Sequence, residues 1–181
     1  MTIAVWNIRG LNNPLKQKLV NKYIRINKLH IFCLLETRVK EKNMSVVLKH
    51  FDKQFSIIHN YSAQYNGRIW ILWRADLLQI QILDIFEQVI HCHVEKTDGI
   101  FYHLSVVYAH NTRNARQALW SQLQNFHATH KRSLVIGGFY VILFDQEKIG
   151  GITHAADMED FADCRFTCGL GELPTSGPSF T

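Results

Sequence analysis

Polar residues stand in this sequence at the points where apolar runs end. Asn7, Glu36, Tyr108 and the segment Gly137–Tyr140 each lie where a predicted strand gives way to a loop. Their side chains include an amide, a carboxylate and a phenol, which can bind polar ligands. Because the ends of strands meet along one edge of a sheet, and loops at such edges carry most functional groups, these residues predict a single site.

Other chemistry is poorly supported by the residue types and their spacing. His91 and His93 would share one face of a strand and are compatible with a metal pair, but no further ligands follow at zinc-like spacing. Cys164 and Cys168, four residues apart on a predicted helix, are interpreted as packing residues. The sequence contains no P-loop, dinucleotide fingerprint or Ser-His-Asp set.

The composition is that of one globular domain. The chain has 181 residues, of which 47% are hydrophobic and 19% charged. No apolar run approaches the ~20 residues of a membrane span, and the first residues do not resemble a secretion signal. Four scattered cysteines do not make a disulfide framework. We therefore expect a soluble, reduced, intracellular domain without a small-molecule cofactor.

Positive charge is concentrated at the beginning of the chain. Residues 1–53 contain 11 Lys and Arg against three acids, a net charge of +8, whereas the remaining residues have a net charge of −3. A basic segment can attract the phosphates of a nucleic acid. It can also be an ordinary solvated helix face, since several of the basic residues fall in one predicted helix.

The pattern of apolar residues predicts alternating strands and helices. Leu15, Leu19, Tyr23 and Ile26 recur at helical spacing after Pro14, which opens a helix well. The predicted helices cover residues 14–28, 42–51, 113–129 and 157–168. The predicted strands cover residues 3–6, 31–35, 55–60, 68–73, 78–86, 89–95, 100–108 and 134–136, and a further strand would start at Phe180. Hairpins interrupted by helices favour a layered α/β sandwich over a doubly wound parallel sheet.

Seven fragments, in this order, carry a resemblance to a known family. They are Trp6-Asn7-Ile8-Arg9-Gly10-Leu11-Asn12, Glu36-Thr37-Arg38, Gly67-Arg68-Ile69-Trp70-Ile71-Leu72-Trp73, Val107-Tyr108-Ala109-His110-Asn111, Ile136-Gly137-Gly138-Phe139-Tyr140, Glu147-Lys148-Ile149-Gly150-Gly151 and the segment from Leu173 to Thr181. Together they resemble the endonuclease/exonuclease/phosphatase superfamily, and most closely the endonuclease domain of plant non-LTR (LINE-type) retrotransposons. The resemblance extends over essentially the whole chain.

The resemblance implies an α/β (α+β) fold, the DNase I-like four-layer sandwich, with two mixed, mostly antiparallel sheets flanked by helices. It also implies a Mg²⁺-dependent phosphodiesterase that nicks DNA. Glu36 matches the main metal ligand and Asn7 the residue that supports the metal and the phosphate. Tyr108 and Asn111 match the pair that contacts the scissile phosphate. A hard cation such as Mg²⁺ prefers oxygen ligands and keeps several waters, so one carboxylate can suffice.

The sequence departs from the family pattern in two ways. Gly138 and Tyr140 stand where active relatives have the Asp and Asn of a Gly-Asp-Phe-Asn motif. Without that aspartate the site lacks the group that would activate or orient the attacking water. The family pattern also continues beyond Phe180-Thr181 to a terminal Ser-Asp-His. We therefore expect residues 1–181 to form a single domain, incomplete at its C-terminus, with impaired catalysis.

Several hypotheses stay open at this point. In the first, the chain is an impaired retrotransposon endonuclease. In the second, it is a non-catalytic nucleic-acid-binding remnant or interaction module. In the third, it is an active phosphoesterase that uses another base. DNA would be bound weakly, through its phosphates, and the resemblance implies a nuclear location. The candidate DNA-contacting residues are Arg9, Lys16, Lys18, Lys22 and Arg38. In the ordinary alternative, Asn7 is a strand-end residue, Glu36 and Arg38 form a surface ion pair, and Tyr108 is a half-buried aromatic.

Overall fold

A computed structural model describes residues 1–150 and 153–174. The strand expected at Phe180-Thr181 lies outside the described residues, as does Gly151 of the sixth fragment. The chain divides into two compact units, one formed by residues 1–108 and 132–138 and the other by residues 109–131 and 139–181. None of the described helices combines the length and the apolar character that a membrane crossing requires.

The first unit contains eight strands in two four-stranded sheets. The strands are β1 (Ile3–Asn7), β2 (Ile31–Leu35), β3 (Phe55–His59), β4 (Ile69–Arg74), β5 (Leu78–Ile85), β6 (Val89–Lys96), β7 (Phe101–Tyr108) and β8 (Ser133–Gly138). Sheet A has the order β1-β2-β4-β3 and sheet B the order β5-β6-β7-β8. Both sheets are mixed, since β1–β2 and β7–β8 are parallel and the other pairs antiparallel. The eight strands predicted within the described residues are thereby confirmed, with ends that differ from the prediction by at most two residues.

The helices α1 (Pro14–Ile26) and α2 (Met44–Leu48) belong to the same unit. The Asn13 side chain caps α1 by accepting a hydrogen bond of 2.8 Å from the Leu15 amide, and Pro14 occupies its first turn. Helix α2 is shorter than the predicted 42–51, because residues 41–43 form a 3₁₀ turn and Lys49 already caps the C-terminal end.

Two apolar clusters hold the first unit together. Phe32, Trp70 and Leu72 of sheet A pack against Val20 and Ile24 of α1 and Val47 of α2. On the other face of sheet A, Cys33 and Ile71 pack against Cys92 and Val106 of sheet B. Since β2 contributes to both clusters, all five of its side chains are buried. A strand covered on both faces reads as a continuous apolar run, which explains why the sequence predicted its bounds correctly.

The second unit is built on α3 (Arg113–Thr129) and α4 (Ala155–Cys168). The ring centroids of Trp120 and Phe161 are 5.4 Å apart, and those of Phe161 and Phe139 are 4.9 Å apart. The buried guanidinium of Arg116 lies 2.8 Å from Asp157 Oδ2. Apolar stacking and this ion pair therefore join the two helices. Cys164 and Cys168 are buried on α4, as their interpretation as packing residues requires.

Candidate functional site

Glu36 follows β2 directly and lies among main-chain groups of two neighbouring segments. Its amide donates a hydrogen bond of 2.7 Å to the Arg68 carbonyl, and its carbonyl accepts one of 2.8 Å from the Gly10 amide. Its backbone has a φ of 57°, in the left-handed region that non-glycine residues rarely adopt. Such strain persists only where surrounding contacts impose it, and it is concentrated at functional sites.

The Glu36 carboxylate is ion-paired with Arg38. Arg38 Nη2 contacts Glu36 Oε1, and the two side chains differ greatly in exposure, at 8% for Glu36 and 60% for Arg38. Arg38 also has a left-handed φ, of 52°. The ion pair suggested as the ordinary alternative is therefore present, but its carboxylate is buried rather than part of a surface patch.

Asn7 lies beside this segment at the end of β1. It is in register with Leu35, the residue before Glu36. Its side-chain Oδ1 accepts a hydrogen bond of 3.3 Å from the Arg9 amide, and the Leu11 amide donates one of 2.8 Å to the Thr37 carbonyl. The loop after β1 is thus fastened to the loop after β2. The fold brings Asn7 and Glu36 together, as predicted from their strand-end positions.

Tyr108, at the end of β7, is linked to the Glu36 segment through Arg68. The guanidinium of Arg68 lies 5.7 Å from the centroid of the Tyr108 ring, and its Nη1 is 3.4 Å from the phenol oxygen. The Arg68 carbonyl is the group that accepts the Glu36 amide. Sequence reasoning did not single out Arg68. Its only signals were its place at the start of the predicted strand 68–73 and in the third fragment of the resemblance.

Gly138 is paired in register with Tyr108 in the parallel β7–β8 ladder. The position that the resemblance assigns to an aspartate is therefore next to Tyr108, and it carries no side chain. Its neighbour Gly137 has a φ of 146°, and a Cβ added there would lie 1.9 Å from the Val107 carbonyl oxygen. Only glycine fits at Gly137. Strand β8 continues through both glycines, in register with Val107 and Tyr108, and is therefore longer than the predicted 134–136.

Asn111 and Tyr140, the other two predicted site residues, belong to the second unit. Asn111 is exposed in the segment before α3. Tyr140 has a left-handed φ of 53° and is 44% exposed. The Arg116 guanidinium contacts the carbonyl oxygens of His110 and Tyr140 at 2.9 and 3.5 Å, so it holds both segments of this unit.

The five candidate DNA-contacting residues differ in their surroundings. The Lys16 ammonium donates to the carbonyls of Ile8, Arg9 and Gly10 at 2.9–3.3 Å, so it stabilises the loop after β1. Arg9 is exposed in that loop, with a φ of 48°. Lys18 and Lys22 are exposed on α1. A role in DNA binding stays a prediction for all of them.

The two histidines considered as a metal pair differ in their surroundings. His91 is fully buried, with Nδ1 2.8 Å from Ser105 Oγ, whereas the His93 ring packs near His103 and Phe101. Throughout residues 1–150 and 153–174, no group of three or more His, Cys, Asp or Glu side chains is placed to hold a metal ion.

Glu36 and Asn7 offer two oxygen donors that could bind Mg²⁺. A carboxylate and an amide oxygen are hard donors of the kind that Mg²⁺ prefers, with waters completing its coordination. Glu36 is the carboxylate of this site, and Arg38 neutralises it. The donor set therefore fits a largely hydrated Mg²⁺. Arg38 would compete with this cation for the Glu36 carboxylate.

The fold matches solved structures of one class of proteins. A protein of the endonuclease/exonuclease/phosphatase family from Bacteroides thetaiotaomicron is 12% identical, with a TM-score of 0.60, and the match covers 78% of this chain and 62% of that one. The AP endonuclease of Leishmania major is 13% identical, with a TM-score of 0.72 and coverage of 92% and 66%. A mannosyl-6-phosphatase of B. thetaiotaomicron is 12% identical, with a TM-score of 0.62 and coverage of 90% and 70%.

These likenesses establish the fold class. The chain has the DNase I-like α/β sandwich of two mixed sheets with flanking helices, which confirms the predicted class. It spans less than two thirds of the length of the first two of these proteins. No protein-family model matches the sequence, and no curated protein matches it either.

Proposed function

We propose that this chain is a nucleic-acid phosphodiesterase domain, of the Mg²⁺-dependent DNA endonuclease type, in which hydrolysis is impaired. The observation that carries the proposal is the grouping of Asn7, Glu36, Arg68 and Tyr108 at strand ends of the two sheets. Asn7 and Glu36 offer oxygen atoms to a cation. Arg68 and Tyr108 offer hydrogen-bond donors to a phosphate. An amide, a carboxylate, a guanidinium and a phenol together suit a phosphodiester better than an uncharged substrate.

Each residue has a role in this proposal. Glu36 and Asn7 would hold Mg²⁺, which when bound polarises a phosphoryl oxygen and offsets charge on the leaving oxygen. Arg68 donates to the phosphate oxygens and holds the Tyr108 phenol in place. For Asn111, a further contact to the phosphate rests on the resemblance alone. Arg9 and Arg38 would attract the flanking phosphates, which makes DNA binding weak, phosphate-directed and dependent on salt.

The impairment is proposed from Gly138 and Tyr140. Gly138, beside Tyr108, has no group that can take a proton from the attacking water. General-base catalysis contributes about 10²–10⁴ in rate, so the loss of one carboxylate is enough to leave little hydrolysis. Tyr140 places a large ring at a position where the resemblance implies a small amide.

The retrotransposon context rests on the ordered sequence fragments alone. On that basis we propose that the domain descends from the endonuclease of a plant LINE-type element and acts in the nucleus. A non-catalytic DNA-binding module is the second candidate function. It is favoured by the same glycine and by the Arg38–Glu36 ion pair, which lowers the availability of the carboxylate for a cation.

The test is to incubate purified protein with supercoiled plasmid and Mg²⁺, and to measure retention of duplex DNA as a function of salt. We expect salt-dependent retention and slow nicking that Glu36→Gln abolishes. The matched control is Glu41→Gln, because Glu41 is an exposed glutamate outside the site. Retention without any nicking favours the binding module. Nicking at the rate of intact relatives overturns the impairment, and turnover of mannose 6-phosphate without DNA binding overturns the substrate class.

A further inference from the structure

The Glu36–Arg38 ion pair joins a buried carboxylate to an exposed cation. The Glu36 side chain is 8% exposed and the Arg38 side chain 60%, with Arg38 Nη2 in contact with Glu36 Oε1. Among the described residues, no other cationic side chain is ion-paired with Glu36. Because a buried charge is costly unless it is paired, Arg38 supplies the counter-charge that the Glu36 carboxylate needs.

The main chain that carries this ion pair is held at each residue from 36 to 38. The Glu36 amide and carbonyl both take part in main-chain hydrogen bonds with neighbouring segments. Thr37 is fully buried, and its Oγ1 donates to the Gly67 carbonyl. Asn12 Nδ2 donates a hydrogen bond of 2.9 Å to the Arg38 carbonyl. The Arg38 guanidinium can therefore leave Glu36 by rotation of its own side chain, without a change in the loop.

The Arg38 side chain has a hydrogen-bonding capacity beyond its contact with Glu36. A guanidinium carries five N–H donors in a planar fork, which fits a phosphate through two parallel hydrogen bonds. The described contact with Glu36 engages Nη2. Since most of the side chain is exposed, a phosphate can approach the remaining donors from solvent. A phosphodiester is thus a second anion that Arg38 can bind, in competition with the carboxylate.

A metal cation and the Arg38 guanidinium compete for one carboxylate. Both are positively charged, and like charges held close together in a partly buried site repel each other. Of the two oxygen donors Asn7 and Glu36, only Glu36 is charged, and a hard cation binds a carboxylate more strongly than an amide. The affinity of the site for a cation therefore depends on whether Arg38 lies against Glu36 or has moved to another anion.

We infer that Arg38 is a positioning residue that changes its partner when nucleic acid binds. In the free protein it neutralises Glu36. In the complex it turns to a phosphate of the nucleic acid, which leaves the carboxylate to the cation. The inference rests on the proposed phosphodiesterase function and adds a coupling between its two ligands. Phosphate binding raises the affinity for the metal ion, and by linkage the metal ion raises the affinity for the phosphodiester by the same factor.

A permanent Glu36–Arg38 pair that serves only to stabilise the loop leads to a different expectation. Removal of Arg38 would then raise the metal affinity by the same factor with and without a phosphodiester. In the exchange, Arg38 opposes the cation only while no phosphate is bound, so its removal raises the metal affinity chiefly in the free protein. The coupling between the two ligands, rather than either affinity alone, therefore distinguishes the two roles.

The experiment titrates Mn²⁺, a hard cation that can replace Mg²⁺ at carboxylates, into the whole chain with and without the dinucleotide TpT, which contains a single phosphodiester. Electron paramagnetic resonance measures free Mn²⁺ and gives both dissociation constants. In the wild type, TpT should raise the Mn²⁺ affinity at least about five-fold. Arg38→Gln should bind Mn²⁺ alone at least about five-fold more tightly than the wild type, and its further gain from TpT should be smaller. Arg38→Lys keeps a positive charge beside Glu36 and should restore weak Mn²⁺ binding in the absence of TpT.

Lys40→Gln is the matched control, because it removes a positive charge from an exposed residue shortly after Arg38 that is not ion-paired with Glu36 in the described part of the chain. It should leave the Mn²⁺ affinities as in the wild type. An equal gain from TpT in the wild type and in Arg38→Gln overturns the exchange and leaves the proposed function standing. Mn²⁺ binding that Glu36→Gln does not weaken overturns the metal site and the inference with it.

Thermal unfolding of the wild type gives a second measurement that needs no variant to fold. Because each ligand favours the binding of the other, Mn²⁺ and TpT together should raise the Tm by more than the sum of their separate effects. A merely additive rise overturns the exchange.

Discussion

The guanidinium of Arg68 lies over the ring of Tyr108, 5.7 Å from its centroid, although 40 residues separate the two in sequence. One residue belongs to the approach to β4 in sheet A and the other to the end of β7 in sheet B. The contact therefore joins the two sheets at the candidate site. Arg68 also accepts the Glu36 amide through its carbonyl, so its position couples the carboxylate to the phenol.

Replacing Arg68 tests its contact with phosphate. Arg68→Ala should weaken duplex DNA binding about five- to ten-fold at low salt and reduce the slope of log K against log salt by about 1, since one phosphate contact is lost. Fluorescence anisotropy with a labelled duplex measures both quantities. Arg74→Ala, in the same β4 region, is the control because Arg74 is paired with Asp76 at 2.6–2.7 Å. Equal effects of the two substitutions would show only a general loss of charge.

Restoring the aspartate tests the proposed cause of impairment. Gly138 is not among the described glycines with a left-handed φ, so its φ does not itself require glycine. Gly138→Asp together with Tyr140→Asn should raise Mg²⁺-dependent nicking of plasmid by about 10²-fold or more, the lower range of general-base catalysis. Gly138→Asn with the same second change is the matched control. A comparable gain with asparagine would rule out a base at this position.

Gly137 should tolerate no side chain. In Gly137→Ala the new Cβ would meet the Val107 carbonyl at 1.9 Å, so the β7–β8 ladder must separate. We expect the free energy of unfolding to fall by about 3 kcal/mol, as in other overpacked sites. Gly99→Ala is the control, because Gly99 also has a positive φ, of 78°, but an added Cβ there meets nothing within 4 Å. In chemical denaturation, Gly99→Ala should lower the free energy of unfolding by only ~1 kcal/mol.

The Arg116–Asp157 pair should matter far more to stability than its neighbour on the surface. Arg116 is 1% exposed and contacts two carbonyls besides Asp157, so Arg116→Met leaves several groups without their donor. A loss of about 3 kcal/mol is expected. Arg113→Met removes an exposed pair with Asp160 and should cost ~1 kcal/mol or less. Urea denaturation of both variants measures the difference, and equal costs would contradict it.

Alkaline pH should destabilise the fold through its buried thiols. Burial raises the pKa of Cys92 from its ordinary 9.0 to about 12, and it also raises the pKa of Cys33. Between pH 9 and 12 the unfolded chain loses the Cys92 proton while the folded chain keeps it. The free energy of unfolding therefore falls as the pH rises, by about 1.4 kcal/mol per pH unit for each thiol. Cys92→Ala should give a shallower fall in urea denaturation between pH 8 and pH 10.5.

The sequence predicted those elements in which the apolar residues are the ones that are buried. Strand β2 is covered on both faces, and α3 buries Leu119, Leu123 and Phe126 on one stripe, so both were predicted with the bounds observed. The adjacency of Asn7 and Glu36 followed from parallel strands ending together. The contact of Arg68 with Tyr108 could not be predicted, because it depends on how two sheets pack.

The sequence did not predict which face of α1 is buried, and the reason is different. Leu15, Leu19, Tyr23 and Ile26 give the stronger apolar pattern, yet Val20 and Ile24 are the residues that face the core. A helix with two apolar faces has no single hydrophobic direction, so its pattern predicts the helix but not its orientation.

Three of the residues with a left-handed φ, Arg9, Glu36 and Arg38, lie in the two loops of the candidate site. Main-chain hydrogen bonds from the Gly10, Leu11 and Glu36 amides hold the loops after β1 and β2, and none of them depends on the side chain at position 138. The backbone geometry that orients Glu36 therefore does not depend on whether position 138 carries a carboxylate that could activate water. The fold of these two loops does not require an aspartate at position 138, and a carboxylate introduced there would find the Glu36 backbone already in place.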